Sequence, residues 1–361
     1  MKQGWTYKPL GEVCDLYQPQ TISKKDMVTN GEYNVFGANG IIGKYDKYNH
    51  ELPEILMTCR GATCGNINVS TPKSWINGNA MVVHIKDESV INRLFLTYIL
   101  SYIDKSKIIT GAAQPQITRQ TLYPLEICYP NLYKQERIVE YLDKAFEDID
   151  TLKDNSQKQL DDARKLFQAA LTEAMQPKEG WEQNIFGNAC SYYKEQGKYE
   201  DIKYIGMEHI ESGTGKLKGY ESSNSILSNS FKFSKGDVLY GRLRPYLRKV
   251  YIADFDGCCS TEIFPIRSKV VEPRFIKYWL LSDDISNKIN ATSAGCRMPR
   301  GNMNEVKKFR FFYPFDKKAQ IKLVERLDAL SDNVQKLEEI NRKVIAECDA
   351  LKQSILRQIF E

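Results

Sequence analysis

The sequence predicts an α+β protein built twice over. Two globular α/β domains and two long antiparallel coiled-coil helices form an internal repeat with approximate two-fold symmetry. Three observations carry this reading. Gly4-Trp5, Leu10-Gly11 and Cys14 recur as Gly180-Trp181, Phe186-Gly187 and Cys190, a shift of 176. Gln135, Val139, Glu140, Leu142 and Asp143 recur as Gln320, Val324, Glu325, Leu327 and Asp328, a shift of 185, and each set follows a Tyr-Pro pair (Tyr129-Pro130 and Tyr313-Pro314). No Gly or Pro occurs between Pro130 and Pro177, or after Pro314.

Residues 5–130 and 181–314 carry short runs bounded by Gly, Asn and Tyr. Residues 54–58, 80–85, 237–240 and 248–252 read as strands, and residues 93–102 and 274–281 as short helices. Residues 134–175 and 317–360 read as long amphipathic helices. The first has a seam at Leu142, Ala145, Ile149, Leu152, Ser156, Ala163, Leu166, Ala170 and Ala174, with charges between. The second has Leu327, Leu330, Val334, Leu337, Val344, Cys348, Leu351 and Ile355. Each helix would be ~60 Å long at 1.5 Å per residue. A rod of that length cannot fold back into its own domain, so the two are expected to pair with each other, antiparallel. The predicted division is 1–130, 131–177, 178–316 and 317–361.

Composition narrows the function. The chain has 361 residues, 42% of them apolar and 27% charged, which supports a packed core and argues against wholesale disorder. Its net charge of +5 permits a nucleic-acid partner without requiring one. No apolar run approaches the ~18 residues of a membrane span, and residues 1–10 lack the core of a signal peptide. The nine cysteines are scattered, with no Cys-x-x-Cys pair, and read as reduced thiols of a cytoplasmic protein.

With these features in place, the chain resembles the specificity subunits of Type I restriction–modification enzymes. The resemblance rests on YNVFGANGIIGKYDKYN at residues 33–49, ILMTCRGATCGNI at 55–67 and PQITRQTLYPLEICYPNLYKQERIVEYLD at 115–143. In the second half it rests on KGDVLYGRLRPYLRKVYIADFDGCCSTEIFPIR at 235–267 and on the 299–328 stretch. It covers nearly the whole chain, in order. It implies two target-recognition domains that each read half of a bipartite site in double-stranded DNA. The helices would space the domains and dock two methyltransferase subunits, and restriction subunits with translocase and nuclease activity would join that complex. S-adenosylmethionine, ATP and Mg are then expected in the partner subunits, with no cofactor in this chain. The second half lacks the Gly-Ala-Asn-Gly stretch of the first, so the two domains are expected to be of different subtypes with different half-sites.

Candidate DNA contacts follow from charge and residue type. Residues 235–251 hold five basic residues against Asp237, and residues 294–310 hold five against Glu305, each a local net charge of +4. Arg and Lys neutralise phosphates, and Arg can fork onto guanine. The candidates here are Arg242, Arg244, Tyr246, Arg248, Arg297 and Arg300; the plain alternative is a solvated basic face. In the first half they are Lys44, Tyr45, Arg60, Gln114, Gln116 and Arg119, because Gln suits adenine edges. Asn39-Gly40 reads better as hairpin turn chemistry than as a contact.

Enzymatic readings find little support. The glycines at 37, 40 and 43 with Lys44 have the wrong spacing for a phosphate loop, and Tyr45 stands where Ser or Thr should be. His50, His84 and His209 are isolated, and Cys59 and Cys64 lack a second pair at zinc-site spacing. No Pro-Pro dipeptide exists for an Asn-Pro-Pro-Tyr methyltransferase motif. Asp201-Ile-Lys203 lacks the upstream carboxylate of a nuclease site. The expected role is a non-catalytic DNA-specificity subunit. The alternatives are a methyltransferase or nuclease with an unrecognised site, and a structural coiled-coil adaptor.

Overall fold

The computed structural model describes residues 2–111, 114–293 and 297–361. Ala294 and Cys296, inside the second basic stretch, lie outside the described residues. The chain divides into two compact units: Met1–Ser156 with Lys343–Glu361, and Gln157–Arg342. This differs from the four segments read from the sequence. Each unit takes part of both long helices, because each helix buries apolar side chains in one domain core near one end and in the other core near its other end.

In the first unit, the strands Thr6–Pro9 and Glu126–Tyr129 pair antiparallel and bring the domain's two ends together. A four-stranded antiparallel sheet runs in the order Cys14–Tyr17, Ala80–Ile85, Ile55–Thr58, Ile67–Val69. A three-stranded sheet joins Gly40–Tyr45, Tyr33–Gly37 and Trp75–Ile76. The helix Arg93–Tyr102 begins where the Asn92 side chain accepts the Phe95 N–H, satisfying one of the free donors of the first turn. It buries Phe95, Leu96, Ile99 and Leu100. Into this core come Val139 and Leu142 from the helix Leu132–Ala174, and Leu356 and Phe360 from the helix Lys317–Phe360. Phe360 meets the rings of Phe95 and Tyr102 at 5.6 and 5.8 Å. Burying such a ring contributes about 2–3 kcal/mol. Within this unit the helices run antiparallel, Asp150 pairing with Lys352 at 2.5 Å and Lys153 with Asp349 at 2.6 Å.

The second unit repeats the plan. Trp181–Ile185 pairs antiparallel with Arg310–Pro314. The four-stranded sheet Ser191–Tyr192, Ile263–Arg267, Val238–Gly241, Val250–Ile252 has the same strand order as its counterpart. The helix Pro273–Leu281 stands where Arg93–Tyr102 stands in the first unit. Phe167 and Leu171 from one long helix, and Val324 and Leu327 from the other, complete the core, and Arg164 pairs with Glu338 at 2.8 Å. The second sheet differs, with five strands in place of three.

The repeat extends to side-chain bonds. Gln135 is fully buried; its amide donates to Pro130 and Val90 carbonyls and accepts the Asn92 N–H. Gln320, also fully buried, donates to Pro314 and Val270 and accepts the Glu272 N–H. Asp143 accepts the Tyr98 hydroxyl, and Asp328 accepts that of Tyr278. Cys14 and Cys190 are buried at matching places, and burial pushes both thiols up to about 12, so neither is a ready nucleophile.

The helix seams depart from the sequence reading. Leu152 and Leu166 are 51% and 62% exposed, while Leu160, Phe167 and Leu171 are buried. In the second helix Leu337 and Leu351 are exposed, and the polar Asn341 is buried, its amide donating to the Leu337 carbonyl. A Leu every three or four residues defines more than one stripe, and contact with the neighbouring helix selects which is covered. No described helix is long and apolar enough to cross a membrane.

Candidate nucleic-acid interface

The loops that follow the strands Ile55–Thr58 and Val238–Gly241 have the same backbone. In the first, the Thr58 N–H donates to Asn66, Cys64 to Gly61, Gly61 to Pro115, and Ile117 to Cys59. In the second, the Gly241 N–H donates to Lys249, Leu247 to Arg244, Arg244 to Pro299, and Gly301 to Arg242. Each loop is thus zipped to a segment far along the chain, with Arg60 bridged to Gln116 and Leu243 to Arg300. Candidates that were separate in sequence, Arg60 with Gln116 and Arg242 with Arg300, sit side by side. Gln114, exposed, lies one residue before Pro115.

The two loops differ at their left-handed positions. Gly61 and Gly65 have φ of +88° and +90°, where glycine pays no steric penalty. Their counterparts are Arg244 and Arg248, at φ 51° and 48°. An L-residue with a side chain costs roughly 1–2 kcal/mol there. Arg248 has a structural reason: it pairs with Asp283 at 2.5 Å. One amino group of its guanidinium is thereby held inside the unit. Arg244 is exposed, and among the described residues it has no carboxylate within ion-pair distance. Tyr246, next along, is 54% exposed.

Arg242 and Arg300 converge on one carboxylate. The Nε–H of Arg242 donates to Glu262 Oε2 and that of Arg300 to Oε1, both at 2.8 Å. Burial alone would raise the Glu262 pKa, but the two guanidiniums override it and hold the carboxyl below its usual range. Arg242 also lies over the Phe264 ring at 5.4 Å, with Lys194 over the same ring at 4.4 Å. Lys307 lies over Tyr192 at 5.0 Å. Burial lowers the Lys194 pKa, and the cations Lys307 and Arg242 lower it further. Like charges gathered this closely repel one another, and an anion laid over them would relieve it. Sequence reading missed Lys194 and Glu262 because neither lies in a basic run; only the fold brings residues 194, 242, 262, 300 and 307 together.

Other candidates are placed apart. The hairpin of Tyr33–Gly37 and Gly40–Tyr45 closes with Gly37 opposite Gly40 and Ala38 and Asn39 at its tip. The tip is tied to the end of the strand Ile55–Thr58, the Thr58 hydroxyl donating to the Ala38 carbonyl at 2.6 Å. Lys44 and Tyr45 lie at the other end, opposite Asn34 and Tyr33. Tyr45 packs edge-on against Trp75 at 5.3 Å, which is a packing role. The strand carries them away from a tip they adjoin in sequence. Arg119 is exposed at the start of the short helix Arg119–Leu122, after the Thr118 cap, and Arg297 is exposed beside the second loop.

Glu208, His209 and Glu221 are the one grouping of metal-ligand types close together among the described residues. The Gly206 N–H donates to His209 Nδ1 at 2.9 Å, and Nε2 faces Glu221 at 3.4 Å. Nδ1 is thus taken by a backbone N–H, and Nε2 stands within ion-pair distance of Glu221.

Residues 2–161 match the family described as Type I restriction modification DNA specificity domain, and residues 183–344 match it again. The chain belongs to this family. Its role is DNA sequence recognition in Type I restriction–modification, a family role that is generally non-catalytic. It is 24% identical to the Type I restriction enzyme EcoDI specificity subunit of Escherichia coli, over 99% of this chain and 88% of that one. It is 28% identical to the EcoprrI specificity subunit of Escherichia coli over 38% of this chain and 35% of that one. The fold is shared with a chain solved in work on assembly and conformational transition of the type I R-M system, at a TM-score of 0.77 and 17% identity, covering 100% and 98% of the two chains. It is shared less closely with the HsdS subunit of Thermoanaerobacter tengcongensis, at a TM-score of 0.53 and 17% identity, covering 100% and 97%. As a specificity subunit, the chain places its two family matches on its two repeated units.

Proposed function

We propose that this specificity subunit reads a bipartite site in double-stranded DNA, one half-site per unit. Residues 58–66 with 114–117 would read the first, and residues 241–249 with 299–301 the second. The observation that carries this is the shared loop backbone with unshared side chains: the same zipper of hydrogen bonds presents Arg60, Gly61 and Gln116 in one unit and Arg242, Leu243, Arg244 and Arg300 in the other. A common frame with different groups is what two different half-sites require. Arginines would fork onto guanine, and Gln116 would pair with adenine.

Two methyltransferase subunits would dock on the long helices. Leu152, Leu166, Ile340 and Leu351 are exposed on these helices, and such docking would cover them. S-adenosylmethionine would belong to those subunits, and ATP and Mg to restriction subunits that join them, in the cytoplasm. The test compares the purified chain with the chain co-assembled with its methyltransferase subunits. We expect salt-dependent DNA binding, and methylation only by the complex. Methylation by the chain alone would overturn the non-catalytic reading, and salt-independent or absent binding by the complex would overturn the interface.

A further inference from the structure

We infer that Glu262 is a positioning residue for the second half-site: by holding Arg242 and Arg300 through their Nε atoms, it aims their terminal amino groups at the DNA. This rests on the loop assignment above and adds to it a residue that carries the wrong charge for DNA. Guanine recognition needs two coplanar N–H groups in a fixed direction, and a free arginine side chain must be ordered to supply them. Glu262 does this ordering in advance. It uses one N–H of each arginine, at 2.8 Å. Among the described residues, no bond is made by the terminal amino groups of Arg242, and Arg300 gives only Nη1, to the Met298 carbonyl at 3.3 Å.

Two internal contrasts separate this from a structural ion pair. Arg267 gives both Nε and Nη2 to Asp237, and its Nη2 also reaches Ser234, so its fork is used up inside the unit. The second contrast is the first unit. Thr58 pairs with Ala80 there as Gly241 pairs with Ile263 here, which sets Asn79 in the place of Glu262. By the same register and the shared loop bonds, Cys59 and Gln116 replace the arginines. Carboxylate and arginines are therefore present together in one unit and absent together in the other, although the loop's backbone bonds and the four-stranded sheet beside them are shared.

The test is Glu262→Gln in the full chain, assembled with its methyltransferase subunits. The modified sequence is mapped across a genome, and binding is titrated against salt on oligonucleotides with and without the mapped site. We expect roughly tenfold or greater loss of discrimination at one or more positions of the second half-site. The first half-site should stay intact, and binding to non-specific DNA should not weaken, because a negative charge has been removed. Glu305→Gln removes a carboxylate paired with Lys308 at 2.8 Å and should leave both half-sites intact. An unchanged motif in E262Q, while Arg242→Ala still degrades the second half-site, overturns the positioning role and leaves the loop assignment standing. An unchanged motif in both overturns the loop assignment itself. Weakened non-specific binding in E262Q would also overturn the inference. Should E262Q lose its folded thermal transition, Glu262→Asp carries the test, because it keeps the charge and draws the carboxylate back from both Nε–H groups by one methylene. The second half-site should again relax, and an unchanged motif overturns the proposal.

Discussion

The two units share what joins them to the helices and differ in what they show to solvent. Gln135 and Gln320 make the same three hydrogen bonds, to carbonyls and N–H groups at matching places. A few strands away, one loop presents glycine at its left-handed positions and the other arginine. Inside, a buried amide has one workable arrangement of partners, because an unpaired buried donor or acceptor costs about 1–3 kcal/mol. On the loop the bonds the two units share are backbone bonds, so the side chains are free to change. The second sheet, three strands against five, falls on the changeable side.

The comparison can be broken hardest at the shared glutamines. Gln320→Ala would strand the Glu272 N–H and the Pro314 and Val270 carbonyls, and we expect a loss of about 3–4 kcal/mol in the second unit. Gln135→Ala should cost the first unit a similar amount. Chemical denaturation followed by near-UV signals of Trp181 and Trp5 would report the two units; a large cost in one unit alone would show that the joints are not equivalent.

Asp328 and Asp143 sharpen the comparison. Asp328 also meets Lys277 at 3.2 Å and Arg274 at 3.0 Å. Burial pushes its carboxyl up, but the Tyr278 hydrogen bond and the Lys277 and Arg274 charges outweigh that and hold it below the usual carboxylate range. A depressed native pKa gives stability that is present above the ordinary carboxylate pKa and lost as pH falls through the depressed value. Asp328→Asn should therefore cost about 2–3 kcal/mol at neutral pH and flatten the acid limb of the second unit's stability. An acid limb identical to wild type would contradict this.

The interface effects are smaller. Arg242→Ala should lower affinity for the specific site by about 1–3 kcal/mol, with discrimination lost in the second half-site only. A uniform loss on all sequences would make Arg242 a phosphate contact instead. Smallest is Arg244→Gly, which relieves the backbone at φ 51° and should stabilise the second unit by about 1 kcal/mol. The same change should weaken DNA recognition. A more stable variant with full discrimination would mean that Arg244 is strained for no purpose in DNA reading.

Much of this plan was legible in the sequence, and the reasons differ by element. The long helices appear in a stretch without Gly or Pro, a local signal: residues 134–175 and 317–360 were expected, and Leu132–Ala174 and Lys317–Phe360 are found. The helix expected at 93–102 is Arg93–Tyr102. The repeat was visible at the joints, where burial restricts the residues. It was invisible at the loops, where TCRGATCGN and GRLRPYLRK share a backbone and no side-chain pattern. Their equivalence is recorded in hydrogen bonds, which sequence does not display. Glu262 was out of reach because its partners come from segments 20 and 38 residues away. Lys44 and Tyr45 show the opposite: the strand Gly40–Tyr45 carries them away from a turn they adjoin in sequence.

The central claim is that each unit reads its half-site on its own. The two cores have no residue in common among those described, and each domain's ends are held together by its own strand pair. The direct measurement replaces residues 10–128 with the equivalent segment of another specificity subunit, assembles the chain with its methyltransferase subunits and maps the modified sequence. The account predicts a new first half-site, an unchanged second one and continued methylation. A folded, active chimera in which both half-sites change together, or neither does, would contradict it.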